Sequence, residues 1–132
     1  MINNLKNIIS KAATDCSGSV DRWYYSYVPQ GTLLPYVSYF LITETYNGKD
    51  SLNLYGDVIL QFNIYSKYQD YGEQCNTILQ EILNYFDNEF LTYANASGSV
   101  EVISCNRDFT RPANWISTNW QATTQYRIHI LN

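Results

Sequence analysis

Apolar residues recur at Ile2, Leu5, Ile8, Ile9 and Ala12, a spacing that predicts an amphipathic helix over residues 2–13. The segment is rich in Asn, a weak helix former, so packing must hold it rather than propensity. Cys16-Ser17-Gly18-Ser19 ends the helix, and Arg22 to Val28 reads as an aromatic strand. Pro29-Gln30-Gly31 breaks the chain, and Pro35 opens a second strand over Tyr36 to Thr45. That strand carries bulky residues at both parities, Val37, Tyr39 and Leu41 against Tyr36, Phe40 and Ile42. Both of its faces are therefore expected to be covered, by the chain's own helices or by a neighbouring subunit.

Tyr46 to Ser51 is turn-rich, and its Asn47-Gly48 pair is the strongest hairpin signal in the sequence. The partner strand runs from about Leu54 to Ser66, where Val58, Leu60, Phe62 and Ile64 alternate with polar residues. Flanks this long predict an arm whose tip reaches beyond the core. From Asp70 to about Leu91 the period becomes helical through Cys75, Ile78, Leu79, Ile82, Leu83 and Phe86, with Asp70 and Glu73 set for a start resembling a capping box. Ala94 to Ser99 reads as a small-residue loop and Val100 to Cys105 as a fourth strand. Asn106 to about Ser117 reads as a long irregular connection containing Arg107, Arg111, Pro112 and Trp115. The last strand, Asn119 to Leu131, sets Trp120, Ala122, Tyr126, Ile128 and Ile130 against Gln121, Thr123, Gln125, Arg127 and His129. The expected fold is a single α+β domain over residues 1–132. It has a mostly antiparallel sheet of four to five strands packed by two helices, in the order α-β-β-β-α-β-β.

Composition narrows the function. With 45% apolar and 15% charged residues, 132 residues suffice for one proper core. Net charge is −4 and the eight Lys and Arg are dispersed, so no basic stripe exists to neutralise phosphates. An acidic wall still lets a passing polyanion stay mobile, so charge excludes a DNA reader but not a DNA conduit. The N-terminus carries no basic segment followed by an apolar run, and no stretch reaches the ~20 apolar residues of a membrane span. Synthesis in a reducing cytoplasm is expected, and the sequon Asn95-Ala96-Ser97 then has no use.

Candidate chemistry is sparse. Cys16, Cys75 and Cys105 are too few and too scattered for a disulfide framework or a cysteine-pair zinc site, and Cys75 and Cys105 read as small core residues. The sole histidine, His129, reads as a surface residue near a strand end, and Asp87 with Glu89 as ordinary helix-end solvation. No nucleophile elbow and no glycine-rich phosphate loop is present. The reading is a structural protein rather than an enzyme, with no cofactor. Trp115 and Trp120 with Arg107 and Arg111 have the composition of a binding surface, Trp120 matching the buried parity of its strand.

The order of short motifs adds a resemblance. An N-terminal amphipathic helix is followed by Val28-Pro29-Gln30-Gly31, then by Leu34-Pro35-Tyr36-Val37 leading into a strand. Next come a strand ending in Ser66, Leu60-Gln61-Phe62-Asn63-Ile64-Tyr65-Ser66, a helix and a last alternating strand. Over roughly residues 2–131 this resembles the tail completion or tail terminator (head–tail joining) proteins of tailed bacteriophages, with their lambda-tail-terminator-like α+β fold. The resemblance implies a ring-forming structural subunit of the virion neck or tail, commonly a hexamer. Such a ring caps the tail tube and docks it to the head connector, with DNA passing through the lumen without specific binding and no membrane involved. The family's function lies in surfaces, so no catalytic, cofactor or metal residues carry over. The expected contact elements are the hairpin at Asn47, Gly48, Lys49 and Asp50 and the 106–118 connection with Arg107, Arg111 and Trp115. The alternative from composition is a monomeric binding module using its aromatic surface for carbohydrate or protein.

Overall fold

A computed structural model describes residues 2–16, 20, 22–50, 53–67, 72–98 and 100–131, with side chains described for all of these except 2–3, 14, 43–50 and 53–55. In chain order the elements are α1 (Ile2–Asp15), β1 (Trp23–Tyr25), β2 (Tyr36–Asp50), β3 (Asn53–Ser66), α2 (Glu73–Asn88), α3 (Phe90–Ala96), β4 (Glu101–Ile116) and β5 (Asn119–Leu131). The strands form one sheet in the order β1-β2-β3-β5-β4, antiparallel except for the β1–β2 pair. This is the expected single-domain α+β class, with three helices among the described residues instead of two.

Period-2 alternation decides which face is buried. Val58, Leu60, Phe62 and Ile64 of β3 and Ala122, Thr124, Tyr126, Ile128 and Ile130 of β5 all point inward. The helices lay their apolar stripes on that face, Leu5, Ile8, Ile9 and Ala12 from α1 and Cys75, Ile78, Ile82 and Phe86 from α2. The centre is aromatic: the Phe86 ring lies 4.9 Å from Phe62, 4.8 Å from Phe90 and 5.5 Å from Tyr126. Each such buried side chain contributes about 1.5–3 kcal/mol by area alone, so α2 is held mainly by its buried stripe, Phe86 included. Ser66 and Thr124 are polar residues buried on the inner face, and Thr124 is held by hydrogen bonds to β4. Its hydroxyl donates to the Phe109 carbonyl at 3.2 Å and lies 3.2 Å from the Thr110 hydroxyl.

Several boundaries differ from the sequence reading, each for a local reason. β1 stops at Tyr25 because Ser26 takes a left-handed φ of 64° and Tyr27 N–H turns back to the Tyr25 carbonyl at 2.7 Å. Asn47-Gly48 is not a turn: β2 continues to Asp50, which pairs with Asn53, and Asn47 is absorbed as a bulge between the Tyr46 and Gly48 pairings. Residues 51–52, between Asp50 and Asn53, lie outside the described residues. At the start of α2 the N-cap is Gly72 in a left-handed conformation (φ 83°) with no side-chain cap. Glu73 supplies only its charge to the first turn, and Asp70 lies outside the described residues. The helix breaks at Glu89, and the 94–99 loop shrinks because α3 runs through Ala96.

The largest correction concerns residues 106–117. They are not an irregular connection but the second half of β4, paired with β5 up to a two-residue turn at Ser117 and Thr118. Register shifts between Val102 and Ser104, between Arg107 and Phe109 and between Arg111 and Asn114 each add one residue and reset the alternation. Cys105 accordingly sits inside β4 rather than at a strand end.

Candidate assembly surfaces

Ladder register places the two hairpin tips at opposite ends of the sheet. β3 pairs with β5 from Tyr55↔Leu131 to Ser66↔Trp120, so the Lys49↔Leu54 and Asp50↔Asn53 pairs project past the end of β5. The β4–β5 turn at residues 117–118 projects from the other end, beyond Ser66. Asn47, Gly48, Lys49 and Asp50 therefore lie at one end and Trp115 at the other, and the structure does not bring them together. The side chains of residues 47–50 are outside the described set.

Arg107 is exposed but is also tied to the chain's own α2. Opposite Tyr126 on the helix-covered side, its guanidinium meets the Asp87 carboxylate at 3.3 Å, and the Tyr126 hydroxyl donates to the same carboxylate at 2.8 Å. Burial, and then that carboxylate, push the Tyr126 hydroxyl well above its ordinary value. Asp87 is thus a structural junction between α2, β4 and β5 rather than a solvated helix end. Arg111 lies opposite Thr123 on the helix-free side and is exposed. Trp115 is 47% exposed, with its ring edge-on to Trp120 at 5.7 Å. Trp120 packs against the core, as its parity implies.

No described helix covers the other face of the sheet, so the outer row of β2 lacks the cover expected of it within the chain. Tyr36 and Phe40 are half-buried and Ile42 is exposed, with the Tyr36 ring 4.9 Å from Tyr65. Down the centre runs an amide and hydroxyl stripe that pairs with itself. Asn63 Oδ1 accepts from Gln61 at 2.9 Å and from Thr123 at 3.1 Å, while Gln125 donates to Asp108 at 3.2 Å. His129 belongs to this face and is not a lone surface residue. Its Nδ1 lies 2.7 Å from Asp57 Oδ1 in the directly opposite register position, a pairing invisible until the strand register is known.

The sheet edges differ from one another. β1 pairs with only Val37, Ser38 and Tyr39, and among the described residues no strand pairs with that side of β2 from Phe40 onward. β4 is an edge over its whole length, but two asparagines occupy part of its backbone. The Asn95 side chain accepts from Val102 N–H and donates to Val102 C=O, both at 2.8 Å, taking the place of a neighbouring strand. Asn76 accepts from Ala113 N–H at 2.9 Å beside Pro112, which has no N–H to offer. With three bulges, β4 has the features that blunt backbone pairing by another chain. Neither clamp was legible in the sequence; in Asn95 the only available signal was a sequon.

Chemistry elsewhere is subdued. Burial, aided by Asp15, pushes the Cys16 thiol up to about 12, and burial with Asp87 does the same to Cys105, so neither supplies a thiolate at neutral pH. A cleft of about 270 Å3 between the end of α1 and α2 is lined by Asp15, Cys16, Glu81, Asn84, Tyr85 and Glu89. Among the described residues, no group of three or more His, Cys, Asp or Glu is placed to hold a metal, and no helix is long and apolar enough to cross a membrane. No protein-family model matches the chain, and no curated protein matches it at a significant level.

Proposed function

We propose that this chain is a structural subunit of a bacteriophage neck or tail, a tail terminator or head–tail joining protein that forms a ring, caps the tail tube and docks it to the connector. The observation that carries the reading is the placement of two hairpin tips at opposite ends of one sheet. A subunit between tube and connector needs reaching elements toward both, and this sheet offers one at each end. The side-chain chemistry is compatible with that role, because two arginines are engaged in internal pairs, Arg107–Asp87 and Arg127–Asp108. A net charge of −4 suits a lumen through which DNA slides without being gripped.

The deciding experiment is electron microscopy of particles from a virus lacking this gene. Unjoined heads and tails, or tails of irregular length, are expected; intact infectious particles sink the reading. Nanomolar binding of duplex DNA at physiological salt removes the conduit role. The self-paired amide stripe beside Tyr36 and Tyr65 favours one alternative, a monomeric carbohydrate-binding module, which glycan binding by a persistently monomeric chain would establish.

A further inference from the structure

The exposed large hydrophobic side chains are segregated. Eight are described, and one of them, Leu91, lies on a helix. Tyr27 and Leu33 lie on the connection between β1 and β2 and Ile42 on β2, the two strands at one edge of the sheet, Tyr27 being 74% exposed. Ile103, Phe109, Trp115 and Ile116 lie on β4, the opposite edge. The central strands β3 and β5 contribute none among the described residues. Single exposed apolar side chains need no explanation, but two rows on the two outer edges of one sheet do.

The two edges are different surfaces on opposite sides of the molecule, which is the requirement for head-to-tail association rather than a two-fold dimer. We propose that a second copy of this chain docks its β4 edge against the β1–β2 edge of the first. The contact is made by side chains and not by a continued backbone ladder, because Asn95, Asn76, Pro112 and the bulges already occupy or disable the β4 backbone. Area supports this occupant. The 16 residues of β4 at ~3.3 Å each span about 50 Å, and a sheet with side chains on both faces is ~10 Å thick, giving on the order of 500 Å2 per edge. Two edges then bury roughly 1,000 Å2, the lower limit for a specific interface. Each contact is accordingly weak alone and gains from ring closure, where the last interface forms intramolecularly. This inference rests on the ring-subunit reading for its partner and names the surfaces that build the ring.

The test is complementation between two edge variants, followed by sedimentation velocity. One variant carries Tyr27→Asp and Leu33→Asp, the other Phe109→Asp and Ile116→Asp. All four side chains are exposed, so melting midpoints and far-ultraviolet circular dichroism should match the parent. If either aspartate pair unfolds the chain, serine at the same positions replaces it. The parent chain is expected to self-associate as its concentration rises, and each variant alone to stay monomeric. An equimolar mixture of the two is expected to stop at a dimer, since one intact edge of each kind remains. Parent-like association by either variant, a mixture that stays monomeric, or a parent that is monomeric at its highest soluble concentration overturns the proposal. The two readings fail separately. Closed rings that survive in both variants refute these edges but keep the ring subunit, whereas a dimeric mixture with a parent that grows open filaments does the reverse.

Discussion

Replacing Asn95 by alanine isolates what a side-chain amide does at a strand edge. The Asn95 amide lies 2.8 Å from both the N–H and the C=O of Val102, a residue only 2% exposed. A neutral hydrogen bond contributes about 0.5–1.5 kcal/mol net, so losing two costs about 1–3 kcal/mol. Alanine is a better helix residue than asparagine by about 0.5 kcal/mol, and Asn95 lies in α3, which offsets part of the loss. The expected net destabilisation is about 1–2 kcal/mol, read from the urea midpoint at unchanged slope. Hydrogen exchange gives the local signature: the Val102 amide should lose protection relative to amides of β5. A variant within ~0.5 kcal/mol of the parent, with the Val102 amide equally protected, would refute the clamp.

Asn95→Asp sharpens the same test. Either form of the acid accepts from Val102 N–H, but only the protonated form also donates to Val102 C=O. The folded state therefore favours the protonated acid and holds its pKa above the unfolded value of about 3.9. The stability so retained is present below that unfolded pKa and lost as pH rises through the folded one. Asn95→Asp should thus lie closer to the parent at low pH than at neutral pH, a sign opposite to that of an ordinary salt-bridged aspartate.

Three further outcomes follow from the same geometry. Gly72→Ala should destabilise by about 2–4 kcal/mol in thermal or urea melts, because a Cβ there would lie 2.9 Å from Ala113 Cβ and 3.0 Å from Trp120 Cε3 on a left-handed residue. Tyr126→Phe should cost about 1–2 kcal/mol, the low end for a hydrogen bond to a charged group, since Asp87 keeps Arg107; a Tyr126→Phe that costs as much in an Arg107→Ala background would show the two contacts to be independent. The thiols of Cys16 and Cys105 are pushed from 9.0 to about 12 in the fold, so the unfolded chain loses those protons first and stability falls as pH rises from 9.0 toward 12. Cys105→Val should flatten that fall, by at most ~1.4 kcal/mol per pH unit, and an unchanged slope would contradict the burial of the thiol.

What the sequence conveyed and what it hid separate along physical lines. β5 was legible end to end because it runs unbroken along its neighbours, burying every second residue from Ala122 to Ile130. β4 was half lost because each of its three bulges shifts the alternation by one, leaving no period for a pattern to reveal. The Asn47-Gly48 signal marked a real irregularity in the wrong role, a bulge within β2 rather than the turn of the hairpin. Continuous helical spacing through Phe86, Phe90 and Ala94 concealed the break at Glu89, because both helices bury the same stripe. Of the expected contact residues, Trp115 and Arg111 are exposed on β4, whereas Arg107 is drawn to Asp87. A one-dimensional pattern shows which residues seek burial, not which charge lies across the sheet.

The two clamped positions on β4 also explain how a chain with a long open edge avoids indiscriminate pairing. An edge that offers free N–H and C=O groups accepts any extended strand, and such contacts are strong, unselective and poorly reversible. Asn95 and Asn76 withdraw part of those backbone groups while leaving Ile103, Phe109 and Ile116 exposed between and beside them. For the proposed contact between copies, what remains is a surface that discriminates by side-chain shape and that gains strength from ring closure. Removing the Asn95 clamp should therefore do more than cost stability. Asn95→Ala should shift association from reversible toward irreversible, visible as turbidity that dilution no longer clears. If Asn95→Ala aggregates no more than an equally destabilised core variant such as Ile82→Val, the clamp serves the fold alone.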